Sequence, residues 1–235
     1  MRIDKLLSEL GIASRSEARS AASRGGVLVD GVPVRDLSKH IDPDTSVVTY
    51  LGRRVEYNRF VYVMLHKPEG YVSATEDGRF PVVTELLPEE LRKRELFPVG
   101  RLDKDTTGLM ILTNDGKLAH SVLSPKHHVE KVYFFTAKVP MREGVEEYFK
   151  DGVTLRDGYE CKSALIELSD DRMSGLITLT EGKYHQIKRM VAASDNRVMS
   201  LARVKFAGIE LDSALAPGEW RMLTDAEIAL LRGSI

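Results

Sequence analysis

Residues 100–109 read GRLDKDTTGL, and the apolar runs on either side decide how the chain folds around them. Phe97-Pro98-Val99 leads in and Leu109-Met110-Ile111-Leu112-Thr113 leads out, before Asn114-Asp115-Gly116 ends the second run. Two carboxylates, Asp103 and Asp105, therefore sit in a polar loop fixed at both ends by buried segments. An aspartate beside Arg101 stays ionised, because an opposite charge within hydrogen-bond reach favours the charged form, and an ionised aspartate can act as nucleophile or base. The same residues also read as a turn in which Asp105, Thr106 and Thr107 satisfy the loop's own backbone donors.

At 235 residues, 43% hydrophobic and 29% charged, the chain is long enough for two folded units and too apolar for disorder. One cysteine, Cys161, cannot form an intramolecular disulfide, and no Cys/His cluster has zinc spacing, so a reducing cytoplasm is expected. The opening MRIDKLLSELGIASRSEARS breaks its apolar residues with charges, unlike a signal peptide, and no run reaches the ~18 apolar residues of a membrane span. GxGxxG, P-loop and nucleophile-elbow motifs are missing. The formal net charge is −1, yet residues 183–205 carry Lys183, Lys188, Arg189, Arg197, Arg203 and Lys205 against Asp195, a net of +5 that suggests a phosphate-contacting face.

Working outward, Ile3, Leu6, Leu7 and Leu10 have helical spacing and Gly11 stops that helix. Ser14 and Glu17 form a capping box for a second helix running to about Ser23. In GGVLVDGVPV, valines flank Asp30-Gly31, a type I′ hairpin signal. The basic residues Arg2, Lys5, Arg15, Arg19 and Arg24 cluster on the two helices. A linker over 46–59, in a polar stretch that includes Pro43, Asp44, Gly52 and Arg53-Arg54, leads to a strand over 60–65 and the turn Lys67-Pro68-Glu69-Gly70. Helices are expected over 84–94, 117–123, 140–150 and 224–231, and strands over 130–136, 152–168, 174–180 and 198–206. A helix also follows the loop Glu181-Gly182-Lys183-Tyr184-His185-Gln186-Ile187-Lys188-Arg189-Met190. This pattern reads as α+β: a small helix–helix–hairpin module over 1–45, then a larger domain over 60–235 built on a mixed, mostly antiparallel sheet with flanking helices.

The run R-x-D-K-x-L, then G-x-x-S-R-x-x-A-R, then G-x-V-x-V-D-G resembles the S4-type RNA-binding module over residues 1 to about 45. Asp103-Lys104-Asp105-Thr106-Thr107 imitates the nucleophile loop of haloacid-dehalogenase-like phosphatases. That chemistry needs the first aspartate at the end of a buried parallel strand, and Pro98, Gly100 and Arg101 suit such a strand poorly. Taken together, Lys67-Pro68-x-Gly70, G-R-L-D-x-D-T-T-G-L and H-Q-I-K-R-M resemble the pseudouridine synthases, in the RsuA-type branch that modifies small-subunit 16S ribosomal RNA.

The resemblance implies that Asp103 is the catalytic aspartate, Tyr133 the active-site tyrosine, Lys188 the basic partner of the aspartate, and Leu201 an apolar wall of the uracil pocket ahead of the last strand. It implies a flipped-out uridine, with no metal or organic cofactor. Phosphate contacts are expected from Arg101, Lys67, Lys183, Arg189 and the five basic residues of the N-terminal module. The partner would be ribosomal RNA or a subunit assembly intermediate, bound by a monomer. The large-subunit (23S) branch usually writes the third motif with asparagine and arginine, from which Tyr184, His185 and Lys188 depart. A non-catalytic RNA-binding assembly factor is the reading from a different class.

Overall fold

The computed structural model describes residues 1–43, 45–57 and 59–235. Its chain divides into two compact units, Met1–Val61 with Leu87–Leu96, and Tyr62–Leu86 with Phe97–Ile235.

In the first unit, α1 (Ile3–Glu9) buries Ile3, Leu6 and Leu7, and α2 (Arg15–Ser23) buries Ala18, Ala21 and Ala22. The expected capping box is formed: the Ser14 hydroxyl accepts from the Glu17 amide at 3.3 Å, and the Glu17 carboxylate accepts from the Ser14 amide at 2.7 Å. Such a cap stabilises a short helix by about 1 kcal/mol. β1 (Val27–Val29) and β2 (Val32–Pro33) pair across Asp30-Gly31, whose φ values of +50° and +80° are the two left-handed residues of a type I′ turn.

The expected linker over 46–59 is instead largely sheet. β3 (Val48–Tyr50) pairs with β1, and β4 (Arg53–Val55) pairs with β3, giving the order β2-β1-β3-β4. Val48 is buried, and Tyr50 and Val55 pack on the same apolar cluster as α1 and α2, which is why the segment folds. The turn between these strands is Leu51-Gly52 at φ +47° and +79°, and a leucine there carries no turn signal in sequence. Asp44, read as part of the linker region, lies outside the described residues. The helix expected over 84–94 is broken: a 3₁₀ turn covers Val83–Leu86, and α3 is only Glu89–Arg92, because Pro88 stands at its N-cap.

The second unit is a nine-stranded sheet: β5 (Tyr62–Lys67), β6 (Phe97–Pro98), β7 (Thr107–Thr113), β8 (Lys131–Ala137), β9 (Leu165–Leu168), β10 (Ser174–Leu179), β11 (Val198–Phe206), β12 (Ile209–Glu210) and β13 (Trp220–Met222). The main path runs β13-β5-β7-β11-β8-β10-β9, with β6 on β7 and β12 on β11. Every described pairing in it is antiparallel except β7 with β11. The segment before Asp103 is thus the two-residue antiparallel β6, not the central parallel strand that a dehalogenase-like site requires.

Around it lie α4 (Gly116–Leu123), α5 (Val145–Asp151), α6 (Gln186–Ala193) and α7 (Asp225–Gly233). One apolar cluster joins α5 and α6 to β8, β9 and β10; another joins α4 and α7 to β5 and β7. The expected helix over 140–150 begins only after Gly144, at φ +73°. Of the strand expected over 152–168, only Leu165–Leu168 is one; Val153, Leu155 and Cys161 instead bury themselves in a loop closed by a Thr154–Glu160 bridge. No helix among the described residues is long and apolar enough to cross a membrane.

Candidate active site

The Asp103 loop is held from below by the end of β5. Lys67 is fully buried, and its Nζ donates to the carbonyls of Thr106 at 2.8 Å, Pro68 at 3.1 Å and Lys104 at 3.2 Å. The sequence reading of Lys67 as a phosphate contact is therefore corrected: a fully buried ammonium that spends its donors on three carbonyls is a brace. Burial pulls its pKa down to about 8, against the opposing charges of Asp105 and Asp103. The Gly70 amide adds a bond to the Lys104 carbonyl at 2.9 Å. Ser73 grips Leu102, the residue before Asp103.

A second loop brings in Lys188. Glu181 accepts from Tyr159 Oη at 2.8 Å, Gln186 Nε2 at 2.6 Å and the Lys162 amide at 3.0 Å, and Gln186 Oε1 in turn accepts from the Lys183 amide at 2.8 Å. Burial disfavours the Glu181 charge, but these donors outweigh it and hold its pKa low. With that loop fixed, α6 starts at Gln186 and points Lys188 at the carboxylates. Its Nζ lies 3.3 Å from Asp103 Oδ2 and 2.6 Å from Asp105 Oδ1, while His185 Nε2 stands 3.6 Å from Asp103 Oδ1.

These contacts amend three expectations. Arg101 is exposed and forms no ion pair with Asp103, whose neighbours are instead the Lys188 ammonium and the His185 ring. Asp105 holds Lys188 as well as its own amide, and the Lys188 hydrogen bond is the larger of the two in lowering its carboxyl pKa. Thr106 Oγ1 is buried without a partner among the described residues, and Thr107 Oγ1 reaches only the Leu201 carbonyl at 3.5 Å.

The facing wall comes from the antiparallel pair β8–β11. Tyr133 and Arg203 are direct cross-strand partners, so their side chains share one face of the sheet. Leu201 lies inside β11, ahead of β13, the last described strand. Asp103, Arg101, Tyr133, Lys183, Lys188 and Leu201 all line one cleft of about 960 Å³. Arg203 is fully buried, donates Nε to the Leu109 carbonyl at 2.8 Å and lies over the Phe206 ring, 4.7 Å from its centroid. Lys131, also on the cleft, has its pKa pulled to about 8 by burial and by the charge of Arg203.

The basic run 183–205 is not one face. Arg203 is buried, Lys188 is paired with two aspartates, Lys205 pairs with Glu210 at 3.1 Å and Arg189 with Asp157. Of the N-terminal cations, all exposed, Arg2 pairs with Asp4 at 2.7 Å and Lys5 with Glu9 at 3.4 Å. Arg24 borders a groove with Arg35 and Lys39. Sequence reading missed Ser73, Lys131 and the roles of His185 and Arg203. His185 could have been found beside Lys188 in the quoted loop; Ser73 gives no local signal.

The RNA pseudouridylate synthase family matches residues 61–193, which hold Asp103, Tyr133 and Lys188, and the S4 domain family matches residues 1–47. This chain belongs to the RNA pseudouridylate synthases. Among similar chains is an uncharacterized RNA pseudouridine synthase, YtzG, of Bacillus subtilis strain 168, 46% identical over 98% of each chain. Ribosomal small subunit pseudouridine synthase A of Escherichia coli K12 is 40% identical, covering 97% of this chain and 99% of its own. A crystal structure of a pseudouridylate synthase superposes with a TM-score of 0.70 at 36% identity, covering 98% of this synthase and 99% of that chain. The synthase thus carries an S4 RNA-binding domain and one sheet-based catalytic unit.

Proposed function

We propose that this synthase isomerises a uridine of ribosomal RNA in the small subunit to pseudouridine, with Asp103 as the catalytic carboxylate and the target base turned out of its stack into the cleft. The observation that carries this reading is the meeting of Asp103, Lys188 and Tyr133, distant in sequence, in one cleft. Two relatives that align along nearly the whole chain, from Escherichia coli and Pasteurella multocida, are named ribosomal small subunit pseudouridine synthase A and favour the small subunit over the large-subunit reading.

The reaction breaks the C1′–N1 bond, turns the freed uracil, joins C1′ to C5, removes the C5 proton and returns one proton to N1. The enzyme must hold both fragments away from water throughout. Asp103 serves by adding to the sugar or base, or by stabilising charge that develops as the glycosidic bond opens. Lys188 supplies a partner to that carboxylate in a partly dry site, where an unpaired charge is costly. Tyr133 offers a flat face to the base and a hydroxyl able to move a proton. Flipping costs a few kcal/mol, offset by phosphate contacts from Arg101, Lys183, Arg189, Arg2, Lys5, Arg15, Arg19 and Arg24. The protein would act in the cytoplasm, as a monomer, on free RNA or an assembling subunit.

The test is to map pseudouridines in ribosomal RNA from cells lacking the protein, then restore them with wild type or Asp103→Asn. A small-subunit site that disappears on deletion and returns only with wild type is the expected result. Loss of a large-subunit site instead transfers the assignment to that branch, and an unchanged map leaves a binding factor.

A further inference from the structure

Lys188 is shared unequally. It lies 2.6 Å from Asp105 and 3.3 Å from Asp103, whereas a charge-assisted N–H···O bond commonly closes to about 2.7–2.9 Å. Nothing in the family reading gives the second carboxylate a task. The side chain of Asp105 is mostly exposed, at 59%, whereas those of Lys188 and Asp103 are about three-quarters covered, at 25% and 29% exposure. A solvated aspartate that engages a largely covered lysine more closely than the catalytic group does determines where that ammonium rests.

We propose that Asp105 is a positioning residue that draws Lys188 away from Asp103, leaving the catalytic carboxylate beside a cation but without a tight ion pair. A carboxylate locked in a close pair with one ammonium is a weaker nucleophile and a weaker stabiliser of new positive charge, because the cation already occupies its lone pairs. One with no cation beside it would stand as an unpaired charge in a site that covers most of it. Sharing the ammonium meets both demands. The proposal rests on the reading of Asp103 as catalytic. The charged and titratable groups facing Lys188 are the carboxylates of Asp103 and Asp105, the His185 ring beside Asp103, and the buried Lys67, whose charge opposes it. Burial disfavours the Lys188 charge, yet the Asp105 hydrogen bond and the two carboxylates outweigh this and raise its pKa.

Asp105→Asn keeps the size and removes the charge at a mostly exposed position, so the fold is retained. Turnover of ribosomal RNA from deletion cells should fall roughly tenfold in kcat with KM nearly unchanged, and the alkaline limb of the kcat profile should move to lower pH. Asp105→Glu should recover most of the rate and return the limb. In parallel, the carbon-13 shift of Lys188 Cε, followed against pH without RNA, should show a larger fall in its midpoint in Asp105→Asn than in Asp103→Asn. An Asp105→Asn enzyme with wild-type kcat and alkaline limb overturns the proposal, as does a loss confined to KM, which would make Asp105 an RNA contact. Wild type without turnover overturns the proposed reaction instead, and the Lys188 resonance still decides whether Asp105 holds the ammonium.

Discussion

The Ser73 hydroxyl bonds both polar groups of the Leu102 backbone, donating to its carbonyl at 2.8 Å and accepting from its amide at 2.9 Å. Leu102 immediately precedes Asp103, so one side chain fixes the peptide from which the proposed catalytic carboxylate departs. Ser73→Ala strands both groups in a partly buried site and should cost about 1–2 kcal/mol in stability. It should also lower kcat more than KM, since placement is lost and RNA contacts are not. Denaturant unfolding beside steady-state kinetics checks both; equal losses in kcat and KM would argue against the placement role.

Lys67 gives a prediction opposite to that of a phosphate contact. Lys67→Met should reduce turnover at least about tenfold by releasing three loop carbonyls, while RNA affinity stays at the wild-type value. Its pKa falls from 10.5 to about 8 on folding, so the unfolded chain binds more protons across that interval. Stability from this group therefore rises as pH climbs from about 8 toward 10.5, and the variant should lose that rise. Unfolding at a series of alkaline pH values measures it.

Gly108, at φ +101°, lies where a parallel pairing brings β7 against β11, and a Cβ there would stand 2.7 Å from the Arg203 amide nitrogen. Gly108→Ala should destabilise the protein by at least ~2 kcal/mol, through backbone strain and a separated strand pair. The fall in thermal midpoint should come with lost activity, because Asp103 and Leu201 are set by those two strands. A variant as stable as wild type would refute the close approach.

Lys131 has its pKa held near 8 by burial and by Arg203, so the cleft sheds one positive charge as pH passes that value. RNA binding at fixed salt should weaken between pH 7 and 9, and the salt slope should shrink by about one counterion. Lys131→Gln should show the weaker affinity already at pH 7 and little further change. A wild-type affinity flat over that range would remove Lys131 from the RNA-facing charge.

Local signals carried much of the structure. The Ser14–Glu17 box, the Asp30-Gly31 turn and the spacing of Ile3, Leu6 and Leu7 each work through neighbours in sequence, and each formed as read. Where reading failed, the deciding partner was remote or the local cue unusual. Val48, Tyr50 and Val55 became sheet because β1 and two helices offered an apolar surface, and Leu51-Gly52 made a tight turn with a leucine in its first left-handed position.

The motif GRLDKDTTGL, with H-Q-I-K-R-M, determined the family and which side chains to examine, because those residue types at those spacings suit few other tasks. Sequence could not rank the contacts among them. Whether Lys67 meets RNA or braces a loop depends on its burial at the end of β5, and whether Asp105 caps amides alone or also holds Lys188 depends on where α6 starts. Burial and distance between residues some 40 to 85 positions apart exist only once the sheet has formed, and charge in a low-dielectric site responds to both.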